Sequence, residues 1–433
     1  MSINILYKLS HRKLILYFFL LSLMIRLIYG IIYYLKSGTS GFADDWAYIK
    51  FAEEMLGQGI FVNDISGLTQ TKSAITPFYP FIIYLSFKIF GIIYLPLIIF
   101  NAFLSALVTY IIYYIGKYSF NETVGILSSF WTIFYVNSIR WVPNLLKESL
   151  IQFLFALLIL IVLVYVTRNS GYFVLTLLSI VFVLLIHTDE RYIIYSVPIA
   201  LLVVIIKGPS LRQRLLSLVY LNVIILALMT PWLVRNYTVY KRPIVLSERT
   251  AIITDKLFGY ANDNYFAQEI HVSEATLDSI SKGMPISDMT MYSIIQRGLS
   301  YGIYPRKYSL AEKMFVDFKE FWRPFRFSDM WVSEGFRPEG KWSLSHNISL
   351  ILTYGILLPF MLIGIYESIK KKNYLSYIML IVILLHTFMH ITVVLSQNRY
   401  RIPIDILVIV FAFYGITEMF NKIRIKNISG VNI

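Results

Sequence analysis

Residues 149–166 read SLIQFLFALLILIVLVYV, an apolar run without one charged side chain, held between Lys147-Glu148 and Arg168. A helix needs about 20 such residues to cross the hydrocarbon core of a bilayer, and a helix apolar on every face has no place on the surface of a soluble domain. The run predicts a membrane span with a carboxylate at one end and a guanidinium at the other. The whole chain repeats this chemistry. Of its 433 residues 57% are hydrophobic and 15% charged, and the mean hydropathy is +0.66, which excludes an ordinary soluble domain.

Working outward from 149–166, comparable runs occur at 14–35, 94–116, 125–138, 172–187, 192–206, 215–233, 349–366, 374–395 and 402–420, which makes about ten spans in an all-α polytopic membrane protein. The first follows Lys8, Arg12 and Lys13 and has no small-residue cleavage site after it, so it reads as a retained anchor. The run 77–90 is too short, opens with Pro77 and Pro80, and is interrupted by Lys88, so it is expected as a surface or re-entrant helix. With ten spans, Lys117, Arg168, Lys207 with Arg212 and Arg214, Lys370 to Lys372, and Lys422 with Arg424 and Lys426 all fall on the side of the N-terminus. An eleventh span at 77–90 would put every one of them outside, against the positive-inside rule. The expected placement is therefore a plasma-membrane protein with both termini cytoplasmic. The net charge of +14 is read as topology, not as a nucleic-acid surface. There is no cysteine, so disulfides, thiolate nucleophiles and Cys-ligated metals are excluded.

This topology gathers Asp44, Asp45, Glu148, Asp189 and Arg191 on the outer face at the ends of different spans. The stretch 41–58, GFADDWAYIKFAEEMLGQ, carries adjacent acids at the start of a short amphipathic run, with Tyr48 four residues after Asp44 on the same face. Helix capping and the macrodipole explain one acid there. They do not explain why the acid pair, Tyr48 and the nearby prolines occur together. Residues 234–348 are polar, rich in Tyr and Trp, and too long for a connector, so a small extracytoplasmic subdomain is expected. The chain divides into 1–233 with a first outer loop at 36–93, the segment 234–348, and the C-terminal helices 349–433.

The order of motifs resembles the GT-C fold glycosyltransferases. The likeness rests on D-D-x-x-Y (Asp44, Asp45, Tyr48), Pro77-x-Tyr79-Pro80, Glu148 opening a span, P-W-x-x-R-N-Y (Pro231, Trp232, Arg235, Asn236, Tyr237), and R-Y-R-I-P from Arg399 to Pro403. The nearest kin are the protein mannosyltransferase and aminoarabinose transferase group, which use sugars on polyprenyl phosphate. The resemblance implies that Asp44 is the catalytic carboxylate, with Asp45 standing where the family more often has Glu, and Glu148 as the acid of the second outer loop. Some relatives bind a divalent metal at these acids and others do not, which makes Asp44 and Glu148 candidate metal ligands.

The chemistry fits the residues in its own right. A glycosyl phosphate already carries a good leaving group, so an enzyme must steady the phosphate charge and accept a proton from the nucleophile. One carboxylate at the interface does the second. Arg191, Arg235, Arg399 and Arg401 are expected to do the first, because guanidinium forks suit phosphate oxygens; Tyr48, Lys72 and Asn236 complete the expected substrate-binding set. The bland alternatives are span-end pairing of Glu148 with Lys147 or Arg140 and anchoring of the arginines to head groups. Arg26, mid-span, needs a partner of some kind. His386 and His390, four apart with no acid nearby in sequence, are expected as buried, hydrogen-bonded histidines.

The expected function is transfer of a sugar from a polyprenyl-phosphate donor to a protein, lipid or glycan acceptor at the extracytoplasmic face, by inverting single displacement. The rival is a transporter or flippase of lipid-linked glycans, which would place charges near the midplane and show inverted repeats. A polymerase or ligase of lipid-linked glycans is a third reading, with its key residues in a later large loop.

Overall fold

The computed structural model describes residues 2–37, 45–59, 75–168, 171–205, 210–240, 245–247, 314–315, 318–319, 321–324, 344–392 and 398–429. Asp44, Lys72 and most of the expected subdomain 234–348 lie outside the described residues. Those described form helices and turns, with no strand among them. In chain order the helices are α1 (Ser2–Ser37), α2 (Asp45–Gln58), α3 (Phe78–Phe90), α4 (Leu95–Ser119), α5 (Glu122–Ile133), α6 (Val136–Arg140), α7 (Glu148–Arg168), α8 (Tyr172–Thr188), α9 (Ser196–Ile205), α10 (Leu211–Tyr240), α11 (Leu344–Leu350), α12 (Leu357–Lys370), α13 (Tyr374–Thr392) and α14 (Ile402–Ser429). Two 3-10 turns, Glu190–Tyr195 and Asn398–Arg401, precede α9 and α14, and a π turn, Ile351–Gly355, joins α11 to α12.

Among the described residues seven helical stretches are long and apolar enough to cross a membrane: His11–Lys36, Leu95–Ser119, Glu148–Arg168, Leu211–Val239, Leu344–Lys370, Tyr374–Thr392 and Arg399–Arg424. Each coincides with one of the ten expected spans. The other three runs are shorter here: 172–187 forms the 17-residue α8, 192–206 is split between a 3-10 turn and α9, and 125–138 stops at Ile133. The last interruption has a visible cause. Arg26, wholly buried, donates from Nη2 to the Thr132 carbonyl at 3.0 Å and from Nη1 to that of Ile133 at 3.2 Å, while its Nε donates to Ser105 Oγ at 2.8 Å. A guanidinium thus meets the negative end of α5 and donates to the last carbonyls of the helix. The mid-span arginine is structural.

The π turn is met in a similar way, since the Trp131 indole N–H donates to the Thr353 carbonyl at 2.8 Å. Close approach of α12 to α14 depends on two glycines: a Cβ at Gly364 would collide with the Phe411 carbonyl oxygen, and one at Gly415 with that of Phe360. Small residues at such crossings let backbones pack in the absence of a hydrophobic drive. The same helices are tied at the end expected to be cytoplasmic by Lys371–Glu418 at 2.6 Å and Lys422–Glu367 at 2.5 Å. The apolar stretch of α14 is mostly buried, whereas those of α1 and α10 bury little of theirs. The chain entering α14 and the start of α7 therefore sit at the bundle's protected centre.

At the other end, α2 packs on α3 through Tyr48, Phe51, Ala52 and Met55, and Tyr48 meets Tyr79 edge-on with ring centroids 5.4 Å apart. Thr76 donates to the Thr188 carbonyl at 2.8 Å, fastening this pair to the end of α8. Asn101 in α4 donates to the carbonyls of Val142 and Asn144 at 3.3 and 3.0 Å, fixing the loop that delivers Lys147 and Glu148.

Candidate functional site

Three chain turns converge at this end of the bundle. Glu148 is the first residue of α7, Asp189 caps the 3-10 turn Glu190–Tyr195 by accepting from the Arg191 N–H at 3.1 Å, and Arg399 with Tyr400 lies in the 3-10 turn before α14. Glu148, Ile151, Arg191, Tyr192, Arg399, Tyr400, Ile402 and Pro403 line a narrow cleft with room for about one water molecule. Arg399 Nη1 is 3.9 Å from Glu148 Oε1, the outer limit of an ion pair.

One wall of the pocket carries a tight charge cluster. Asp189 is 1% exposed; its Oδ2 takes Lys147 Nζ at 2.9 Å and also Arg191 Nη2, while its Oδ1 accepts from Arg191 Nε at 2.8 Å. Burial alone would push the Asp189 carboxyl up, but Arg191 and Lys147 overcome it and hold the group far below the usual carboxylate range. Burial likewise disfavours charge on Lys147 and Arg191, and Asp189 reverses this, so both are raised. The Arg191 guanidinium lies 4.1 Å from the Tyr400 ring centroid and that of Arg399 4.9 Å from it, a distance at which cations are held by the ring face.

Helices α2 and α3 face this cluster. Asp45 is buried in the first turn of α2, Tyr48 lies 6.0 Å from Lys147 Nζ, and Tyr79 is fully buried. Burial pushes the Tyr79 phenol well above its ordinary value, Asn101 works the other way, and Glu148, Tyr48 and Asp45 add to the rise. Tyr79 therefore lies within electrostatic reach of both Asp45 and Glu148, whose acids come from segments a hundred residues apart in sequence.

The expected site residues are thus divided. Asp45, Tyr48, Glu148, Arg191 and Arg399 come together around the pocket and its flank; Asp44 and Lys72 are not described. Arg401 is not a pocket residue as expected. It is wholly buried, its Nε donates to Asp405 Oδ1 at 2.8 Å and its Nη1 to the Phe321 carbonyl at 2.6 Å, and its guanidinium lies 3.5 Å from the Tyr354 ring centroid. Asp405 Oδ2 in turn accepts from Tyr135 at 2.6 Å and Asn137 at 2.9 Å. Although Nη2 is buried without a hydrogen-bond partner among the described residues, the paired Nε and Nη1 anchor this charge in the core. Arg235 and Asn236 are buried at the end of α10, where Arg235 Nη1 donates to Asn236 Oδ1 at 2.9 Å and Asn236 Nδ2 to the Leu246 carbonyl at 3.2 Å. Lys147, offered to Glu148 by sequence adjacency, pairs with Asp189 instead.

His386 and His390 are buried and hydrogen-bonded: His386 pairs Nδ1 with Tyr195 Oη at 2.9 Å and Nε2 with the Tyr400 carbonyl at 2.8 Å, and His390 Nδ1 faces the His386 carbonyl at 2.9 Å. Among the described residues no three acids or histidines converge as metal ligands. Glu148 has a guanidinium for company, and Asp189 holds two cations, so the described residues do not by themselves fit a divalent metal. Sequence reading passed over Asp189, Tyr400 and Lys147 as site residues. Two of the three signals were present: Asp189 two residues before Arg191 is the spacing of an acid that can cap and grip the same arginine, and Tyr400 stands between two arginines.

No protein-family model matches the sequence, and no curated protein matches it. Solved structures do. The archaeal oligosaccharyltransferase AglB from Archaeoglobus fulgidus, in complex with an inhibitory peptide and a dolichol-phosphate, is 14% identical with a TM-score of 0.56, over 99% of this chain and 52% of that one. The apo form of the Archaeoglobus fulgidus enzyme gives 13%, 0.55, and 97% and 52%; a complex of it with Zn and sulfate gives 14%, 0.55, and 95% and 50%. The chain spans about half the length of these structures. The fold is of the GT-C type, to which that oligosaccharyltransferase belongs.

Proposed function

We propose that this pocket receives the phosphate of a polyprenyl-phosphate-linked sugar and that the chain transfers the sugar to an acceptor on the extracytoplasmic face. The observation that carries the reading is the meeting of Glu148, Arg191 and Arg399 in one narrow cleft at the ends of apolar helices. Guanidinium groups there offer the leaving phosphate paired N–H donors in a setting shielded from bulk water, where such contacts are strong. In the reaction the acceptor attacks the anomeric carbon as the bond to the phosphate oxygen breaks, giving inversion and a free polyprenyl phosphate. The acceptor proton passes to a carboxylate of the first outer loop, Asp44 or its neighbour Asp45. Glu148 orients Arg399 and the sugar opposite.

On this reading the seven long helices and the three shorter apolar segments together make ten crossings, with both termini cytoplasmic. The segment 234–348 serves the acceptor. Because the archaeal neighbour was solved with a dolichol-phosphate and an inhibitory peptide, a peptide is the first acceptor to try. The described charges of the pocket stand at helix ends, and the mid-span charge, Arg26, is consumed by carbonyls, which speaks for surface chemistry over transport through the bundle.

The test is to incubate purified protein with a panel of polyprenyl phosphate sugars and peptide, lipid and glycan acceptors, and to measure release of free polyprenyl phosphate. Release by the parent, none by Asp44→Asn and reduced release by Glu148→Gln are expected. Movement of labelled donor across a proteoliposome membrane without release would transfer belief to a flippase.

A further inference from the structure

Asp189 is neither the acid of the first outer loop nor a lining residue of the pocket, yet it holds two cations beside it. It takes Lys147 on one oxygen and spans Nε and Nη2 of Arg191 with both. This fork-on-fork grip fixes the plane of the guanidinium and turns the remaining nitrogen, Nη1, away from Asp189; its recorded neighbour is His390 Nε2 at 3.4 Å, a long contact. The Tyr400 ring supports the same guanidinium from its face at 4.1 Å. With two cations on one buried carboxylate the cluster keeps one formal positive charge, and Arg191 brings it to the pocket wall.

We infer that Asp189 is a positioning residue for the anion subsite: it locks Arg191 against Tyr400 so that the guanidinium meets a lipid-borne phosphate in a preformed orientation. The inference rests on the donor reading given above. Preorganisation is the physical point, because an arginine that must be ordered on binding forfeits affinity to side-chain entropy. The low Asp189 ionisation range keeps the lock closed at any physiological pH.

The charge count supplies a clean test. Asp189→Asn alone strands two buried cations and risks misfolding. The double variant Lys147→Met/Asp189→Asn carries the same formal charge as the parent cluster, with Arg191 unfastened, whereas Lys147→Met alone loses a charge and keeps Arg191 fastened. Binding of polyprenyl phosphate to full-length protein in nanodiscs is measured by titration, with inorganic phosphate and phosphatidic acid as parallel ligands, and melting temperature without ligand confirms folding. Expected are a loss of affinity for Lys147→Met, which removes the cluster's net charge, a further loss of tenfold or more for the double variant despite its parental charge, and recovery to the Lys147→Met level in Lys147→Met/Asp189→Glu. Equal binding by parent and double variant would overturn the positioning role while leaving the donor reading intact. Failure of the parent to bind polyprenyl phosphate, or preference for phosphatidic acid, would remove the donor reading and this inference with it.

Discussion

Arg399 reaches Glu148 across the pocket at 3.9 Å, a contact loose enough for an incoming anion to compete for the guanidinium. Two residues later Arg401 is closed against Asp405 at 2.8 Å with neither side chain exposed. The same short motif therefore supplies one arginine to the pocket and one to the core, and substitutions should separate them.

Arg399→Met should leave folding intact and weaken donor use by roughly 10–100-fold, the range expected for losing one charge-assisted contact of about 1.5–3 kcal/mol. Glu148→Gln releases Arg399 from its carboxylate, so donor binding should hold or tighten while turnover falls. Kinetics of polyprenyl phosphate release with varied donor separate the two; matched losses of donor binding in both variants would contradict the assignment.

Arg401→Met or Asp405→Asn should each destabilise strongly, by about 3–5 kcal/mol, because each leaves its partner's charge buried and unmet. The pair Arg401→Met/Asp405→Leu should be more stable than either. Thermal melting in detergent or nanodiscs reads this. An Arg401→Met protein with parental stability and lost donor binding would return Arg401 to the phosphate.

Arg26→Met removes a guanidinium donor from the Thr132 carbonyl and from the Ile133 carbonyl inside the bundle and should lower melting temperature and yield, whereas Arg399→Met should not. Each unmet buried polar group costs about 1–3 kcal/mol. Parental stability in Arg26→Met would mean that other groups cap α5.

The Asp189 cluster should be insensitive to pH over the working range. Its carboxyl is lowered in the folded chain relative to about 3.9 in the unfolded one. Its contribution is therefore fully present above that unfolded value and is lost only as pH falls through the lower folded value. The melting-temperature difference between Lys147→Met and Lys147→Met/Asp189→Asn should stay constant from about pH 5 to pH 9; a difference that closes near pH 6 would show that another group carries the effect.

Much of the fold was legible because length and hydrophobicity alone decide a span: all seven long helices lie where apolar runs predicted them. The break at Ile133 was not, since its cause is Arg26, more than a hundred residues earlier. Within the site, Glu148, Arg191 and Arg399 were legible as polar residues at span ends. Arg401 was read like Arg399 because R-Y-R presents two arginines alike, although Asp405, four residues on in the opening turn of α14, was the local sign of a helical pair. Asp189 was noticed but given no role, because only the fold shows that Lys147 and Arg191 share it.

The most direct measurement of the central claim is crosslinking with a polyprenyl phosphate bearing a photoreactive group on its first isoprene unit, followed by peptide mapping. The account predicts label on the segments carrying Glu148–Ile151 and Arg399–Pro403, displaced by unlabelled polyprenyl phosphate and strongly reduced in Arg399→Met. Label confined to the lipid-exposed face of α10, indifferent to competitor and to Arg399→Met, would contradict it.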